Sequence, residues 1–222
     1  MSRFITLSLI VCAITWPAHA DLYDQAPPMT SSGYYSNLDS GMRIADEFTL
    51  SQPAVITGVT WYGFFFPEIG QDMTSVLFDV SFFTDAADLP GTRISQSIVS
   101  ATVSDTGLNV AYPVDKSYNG NNIYEFTADL ASPVAVAADQ TVWLSIVDAD
   151  SDTTMRWVWS AETLSKATDI AIFNIANNPI WQVAAGDRAF SLTGYIVPVP
   201  GAVLLGVLGL GQGAMLLLRR NS

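Results

Sequence analysis

From Val76 to Thr84 the chain alternates residue by residue, with Phe78, Val80 and Phe82 apolar and Asp79 and Ser81 polar. A side-chain period of two puts these sets on opposite faces of an extended strand, whereas the apolar stripe of a helix recurs every three to four residues. Tyr124–Leu130 repeats the code, with Tyr124, Phe126, Ala128 and Leu130 set against Glu125, Thr127 and Asp129. Glu47–Leu50, Val55–Phe66, Arg93–Val103, Thr141–Val147, Met155–Ser160, Ile170–Ile175 and Ala189–Ile196 complete nine expected strands, joined by Gly, Asn, Asp and Pro. No long stretch has helical spacing, and Ala161–Lys166 amounts to a single turn. Short strands punctuated this often predict an all-β fold: an antiparallel β-sandwich, jelly-roll-like, with two sheets around one core.

The two ends of the chain break this pattern. Residues 1–20 carry Arg3, an apolar run from Phe4 to Trp16, the helix breaker Pro17, and then Ala18-His19-Ala20. That order is a secretory signal peptide, and the small residues Ala18 and Ala20 predict cleavage by signal peptidase before Asp21. Cys12 follows Ile10 and Val11, whereas lipoprotein processing wants small residues there. Residues 21–37, with Pro27-Pro28, Ser31-Ser32-Gly33 and paired tyrosines, read as a lead-in segment, which puts the sandwich domain at 38–196.

Residues 197–222 form a tail. Val197 to Leu218 is 22 residues without a charge, long enough as a helix to reach roughly 33 Å, and the expected transmembrane helix occupies 199–218 within it. Arg219 and Arg220 open the basic end 219–222, and the positive-inside rule keeps them in the cytoplasm with the domain outside. Gly209 and Gly213 add a lone G-x-x-x-G, a pattern suited to packing against another helix.

The sequence Val197-Pro198-Val199-Pro200, followed by the apolar span and Arg219-Arg220, resembles the PEP-CTERM sorting signal in a V-P-x-P variant. Val199 stands where that family most often has Glu. The resemblance implies an exosortase-like processing enzyme as partner and delivery to the cell surface or extracellular matrix of an exopolysaccharide-making bacterium. Two prolines also oblige an extended, accessible peptide just outside the membrane. Asp46-Glu47-Phe48-Thr49-Leu50, Ile56 to Gly63, Leu89-Pro90-Gly91 and Val142 to Ile146 are similar to the mature domains of other PEP-CTERM proteins. That similarity implies a sandwich and no particular activity.

Charge and residue inventory bound the function of the middle. Between Asp21 and Ile196 six bases face all 21 acids of the chain, or -15. Such a surface repels phosphate backbones, so nucleic acid is not an expected partner. Signal cleavage would remove Cys12 and His19, the only cysteine and the only histidine. Ser-His-Asp hydrolysis, thiol chemistry and ordinary zinc sites would then lack their residues.

Two clusters remain as candidate sites. Asp148, Asp150 and Asp152 alternate in one turn, which suits either calcium, a hard cation that takes oxygen ligands, or a plain solvated turn. An EF-hand is excluded, because Thr153 and Trp159 stand where it needs Gly and Glu. Trp61, Tyr62, Trp157 and Trp159 would stack on sugar rings if they faced solvent, and would fill the core if they did not. The expectation is a non-enzymatic envelope or matrix protein associated with exopolysaccharide or adhesion. A calcium-assisted carbohydrate-binding module and a carboxylate-only glycosidase are the alternatives.

Overall fold

The computed structural model describes residues 19–25, 27–66, 76–112, 117, 119–150, 156–163, 169–174 and 178–198. Among them are thirteen strands: β1 Ala20–Gln25, β2 Pro28–Tyr35, β3 Met42–Thr49, β4 Ala54–Phe66, β5 Leu77–Asp85, β6 Pro90–Ser100, β7 Thr102–Asn109, β8 Asn122–Val136, β9 Thr141–Asp148, β10 Arg156–Glu162, β11 Asp169–Asn174, β12 Asn178–Ala185 and β13 Phe190–Ile196. The strands pair antiparallel in two sheets. One has seven strands, with β1-β13-β4-β10-β2 as its path and β8 and β7 added on the other side of β4. The other has six, in the order β12-β11-β3-β9-β5-β6. No helix among the described residues is long and apolar enough to cross a membrane. The expected helix 199–218, Ala18, Val199, Pro200, Arg219 and Arg220 all lie outside the described residues.

The alternation seen in the sequence builds the core. Phe78, Val80 and Phe82 of β5 and Ile44 and Phe48 of β3 face Trp61 and Phe65 of β4, Trp157 and Trp159 of β10, and Phe190 of β13. Rings interlock across the two sheets: Trp61 and Phe78 meet at 5.0 Å and 77°, Phe78 and Trp157 at 5.1 Å and 74°. Edge-on contacts of this kind add to area burial because the positive ring edge meets the negative ring face. Gly63 makes room for them, since a Cβ there would lie 2.6 Å from the indole nitrogen of Trp157. Register shifts between Ile56 and Gly58 reset the phase of β4, so that Ile56 and Val59, three residues apart, both reach the core.

The segment 21–37, expected as a lead-in, instead carries β1 and β2, both paired into the seven-stranded sheet. The candidate strand Arg93–Val103 is broken at Ala101, where the chain leaves the six-stranded sheet as β6 and enters the seven-stranded one as β7. Strand β12 had no sequence expectation of its own. These four strands share a reason: β1, β2, β7 and β12 are all edge strands. An edge tolerates proline at its start, as at Pro28, and needs no clean apolar face. The first and last strands lie side by side, with Ala20 opposite Gly194.

Candidate functional site

The outward faces of the two sheets differ. On the seven-stranded sheet Phe64, Val158, Ile123 and Val110 form a satellite core with Tyr35, Tyr62, Phe66 and Tyr112. The segment around residues 110–112 closes over it, with Ala111 N–H donating to the carbonyl of Thr30 at 2.8 Å. Tyr62 is half-buried here, and its hydroxyl donates to Glu125 at 2.9 Å. Burial and that carboxylate push its phenol up to about 12.

The six-stranded sheet curls instead. Trp181 of β12 and Phe83 of β5 are four strands apart, which a flat sheet would separate by about 19 Å, yet their rings meet at 5.9 Å and 74°. Phe173 of β11 packs on Trp181 at 5.3 Å. Beneath these rings lie Ala45, Trp143 and Ala171, fully buried although they face away from the shared core. The indole of Trp143 donates to Asp85 at 3.0 Å. Curling therefore creates a concave surface with its own small apolar floor.

An open groove of ≈ 270 Å³ runs along that surface, lined by Arg43, Phe83, Arg93, Phe173 and Trp181. Arg43 is held in place: its Nη2 donates to Asp79 Oδ2 at 2.9 Å. Asp79, only 2% exposed, also accepts from Ser81 at 2.6 Å and from Gln96 at 2.8 Å. Among the described tryptophans Trp181 alone is not fully buried. The alternation placed Phe83, Arg93 and Phe173 in expected strands, left Arg43 and Trp181 outside them, and gave no sign that β12 would fold back toward β5. No local signal marks the two bases, since Arg43 sits between Met42 and Ile44 and Arg93 between Thr92 and Ile94.

The residues singled out from sequence fall elsewhere. Trp61, Trp157 and Trp159 are 0% exposed and lie in the shared core, so they cannot stack on a sugar. The reason is parity, because each faces the opposing sheet from an inner strand. Asp148 closes β9 at 5% exposure. Its Oδ1 accepts from the Asp150 backbone at 3.1 Å and its Oδ2 from Asn37 at 3.1 Å. Burial raises its pKa to about 6. Asp150 in turn accepts from Leu77 N–H at 3.3 Å. Asp152 lies outside the described residues, and among those described no three acids converge as metal ligands.

A second polar cluster was not foreseen. Asp46 at 0%, Arg188 at 1% and Gln25 at 1% exposure are enclosed with Glu162 and Asp187. Asp46 Oδ2 accepts from the backbone N–H of Arg188 at 2.6 Å and from Gln25 at 3.0 Å, while Oδ1 has no hydrogen-bond partner. Burial raises the Asp46 carboxyl well above the usual range. The Arg188 guanidinium donates to the carbonyl of Trp159 at 3.3 Å and lies 5.1 Å over the ring of Tyr34. Enclosure keeps these acids from any polymer, so this cluster offers no carboxylate pair to a glycosidic bond.

Fold and groove together define a two-sheet antiparallel β-sandwich with a concave, aromatic-lined surface on one sheet. The chain belongs to the DUF7901 family, a domain of unknown function, which matches residues 22–193. That match takes in most of the segment 21–37 and agrees with β1 and β2 being part of the domain. Among solved structures, the chain is similar to the cysteine protease and lectin-like domains of Cwp84, a surface layer associated protein of Clostridium difficile. The TM-score is 0.43 at 9% identity, over 71% of this chain and 33% of that one, so this chain spans about a third of that solved chain. No curated protein matches.

Proposed function

We propose that this chain is an exported, non-enzymatic envelope or matrix protein whose sandwich domain holds exopolysaccharide in the groove of the six-stranded sheet. The observation that carries this reading is the groove itself: three aromatic rings beside two guanidiniums on an open concave face. Aromatic faces suit the apolar faces of sugar rings, and a few fixed polar groups set orientation. At ≈ 270 Å³ the groove lies just below the roughly 300–1,000 Å³ usual for ligand clefts, which suits about one sugar unit at a time.

Export and sorting belong to the same reading. Signal peptidase cuts before Asp21, and an exosortase-like enzyme acts at Val197-Pro198-Val199-Pro200 while Arg219 and Arg220 stay in the cytoplasm. Two features are in keeping with that. Val197 and Pro198 are exposed as they leave β13, and Ala20 lies beside the same strand end. The exposed Val197 and Pro198 thus lie on the same side of the domain as Ala20.

Trp181 supplies the test. Its fluorescence should shift on titration with the producing organism's exopolysaccharide, and Trp181→Ala should weaken binding by about tenfold or more, the usual worth of a buried aromatic contact. Unchanged binding by Trp181→Ala would sink the groove as the saccharide site.

A further inference from the structure

On the reading that the groove holds a saccharide, we infer that its ligand is a carboxylate-bearing sugar, the uronic-acid unit of an acidic polysaccharide. The polar side-chain atoms of the five lining residues are all N–H donors: the guanidiniums of Arg43 and Arg93 and the indole of Trp181. A neutral sugar presents hydroxyls that donate as well as accept and is best matched by a mixed lining. A lining of donors alone is matched by a group that only accepts, and a carboxylate is such a group. Asp79, the acid bonded to Arg43, is nearly enclosed and also accepts from Gln96 and Ser81, so it serves to aim Arg43 rather than to receive ligand hydroxyls.

Charge distribution points the same way. Six bases stand between Asp21 and Ile196, and two of them line this one groove of an otherwise acidic domain. A guanidinium fork matches a planar carboxylate with two parallel hydrogen bonds, a geometry that lysine lacks. Arg93 is exposed and reaches the groove from β6, whereas Arg43 is pinned by Asp79 from β3. Arg93 is therefore placed to clasp the carboxylate while Phe83, Phe173 and Trp181 take the ring. The wider charge of -15 acts against this little, because salt screens exposed charges lying beyond about 8 to 10 Å.

The test uses the full-length chain in mild detergent, titrated with polygalacturonate and with the same polymer after its carboxyls are reduced to alcohols. The polyuronate should bind at least about tenfold tighter than the reduced polymer. Arg93→Gln should remove most of that difference and Arg93→Lys should restore part of it, with the melting temperature of both variants unchanged. Equal affinity for the two polymers, with Arg93→Gln indifferent, overturns the carboxylate preference and leaves the saccharide reading standing. Dextran sulfate binding tighter than polygalacturonate overturns it as well, in favour of charge density alone. Binding of neither polymer in a Trp181-dependent way overturns both readings.

Discussion

The described tryptophans occupy two regions of this molecule and do different things in each. Trp61, Trp157 and Trp159 are closed in by both sheets, the first two interlocked with Phe78 and Phe126 and Trp159 packed on Trp157 and Phe190. Trp181 lies on the opposite face of the six-stranded sheet, packed on Phe83 and Phe173 and open on its remaining side to the groove. In the first region aromatic area is spent on holding two sheets together. In the second, one curled sheet covers its own concave face incompletely, and the surface left over is available to a ligand. An aromatic cluster stays open when, among the described residues, no second layer packs on it.

The largest effect that would break this contrast is in the enclosed region. Trp157→Ala should cost about 3–5 kcal/mol of stability by denaturant unfolding, through lost burial and the cavity left behind; a loss below about 1 kcal/mol would mean that the ring is not where both sheets need it. Gly63→Ala should cost less, about 1–3 kcal/mol, because the added Cβ presses on the Val158 backbone carbonyl and on the Trp157 ring. Trp181→Ala should leave stability within about 1 kcal/mol of the parent, since the ring is closed in on one side only. Its cost should appear in polysaccharide affinity instead. A destabilisation equal to that of Trp157→Ala would erase the distinction between the two regions.

Acids sharpen the contrast further. Burial raises Asp148 from 3.8 to about 6, and Asp46 is raised in the same direction. For such a group the folded state keeps its proton where the unfolded chain has lost it, so folding takes up a proton between the two values. The contribution of Asp148 is therefore greatest below about pH 4, falls as pH rises towards about 6, and is flat above that. The melting temperature should drop across that window, and Asp148→Asn should flatten the drop; a curve unchanged by that substitution would exclude Asp148 as its source. The smallest effect concerns calcium. Both oxygens of Asp148 already accept hydrogen bonds, so calcium followed by chelator should leave the melting temperature unmoved, and a clear rise with calcium would reopen that corner as a cation site.

The alternation in Val76–Thr84 and Tyr124–Leu130 was legible because each strand buries one face against an opposing sheet, and burial imposes the period of two. β1, β2, β7 and β12 were not legible as separate strands, because an edge strand is held by one neighbour and carries a weaker pattern. Trp61, Trp157 and Trp159 stood out by residue type, yet type does not say which face a strand turns inward. Asp46 and Arg188 gave no warning at all: 142 residues apart, they meet only because β3 and the stretch before β13 are brought together by pairing with other strands.

What the sequence determined by itself was the strand period, the acid excess, the scarcity of bases and the apolar ends, because each of these depends on neighbouring residues or on counting. Tertiary structure alone decided which aromatics stayed open, by curling one sheet until β12 came within ring contact of β5. That closure depends on pairing between strands far apart in the chain, and no local pattern encodes the curvature that results.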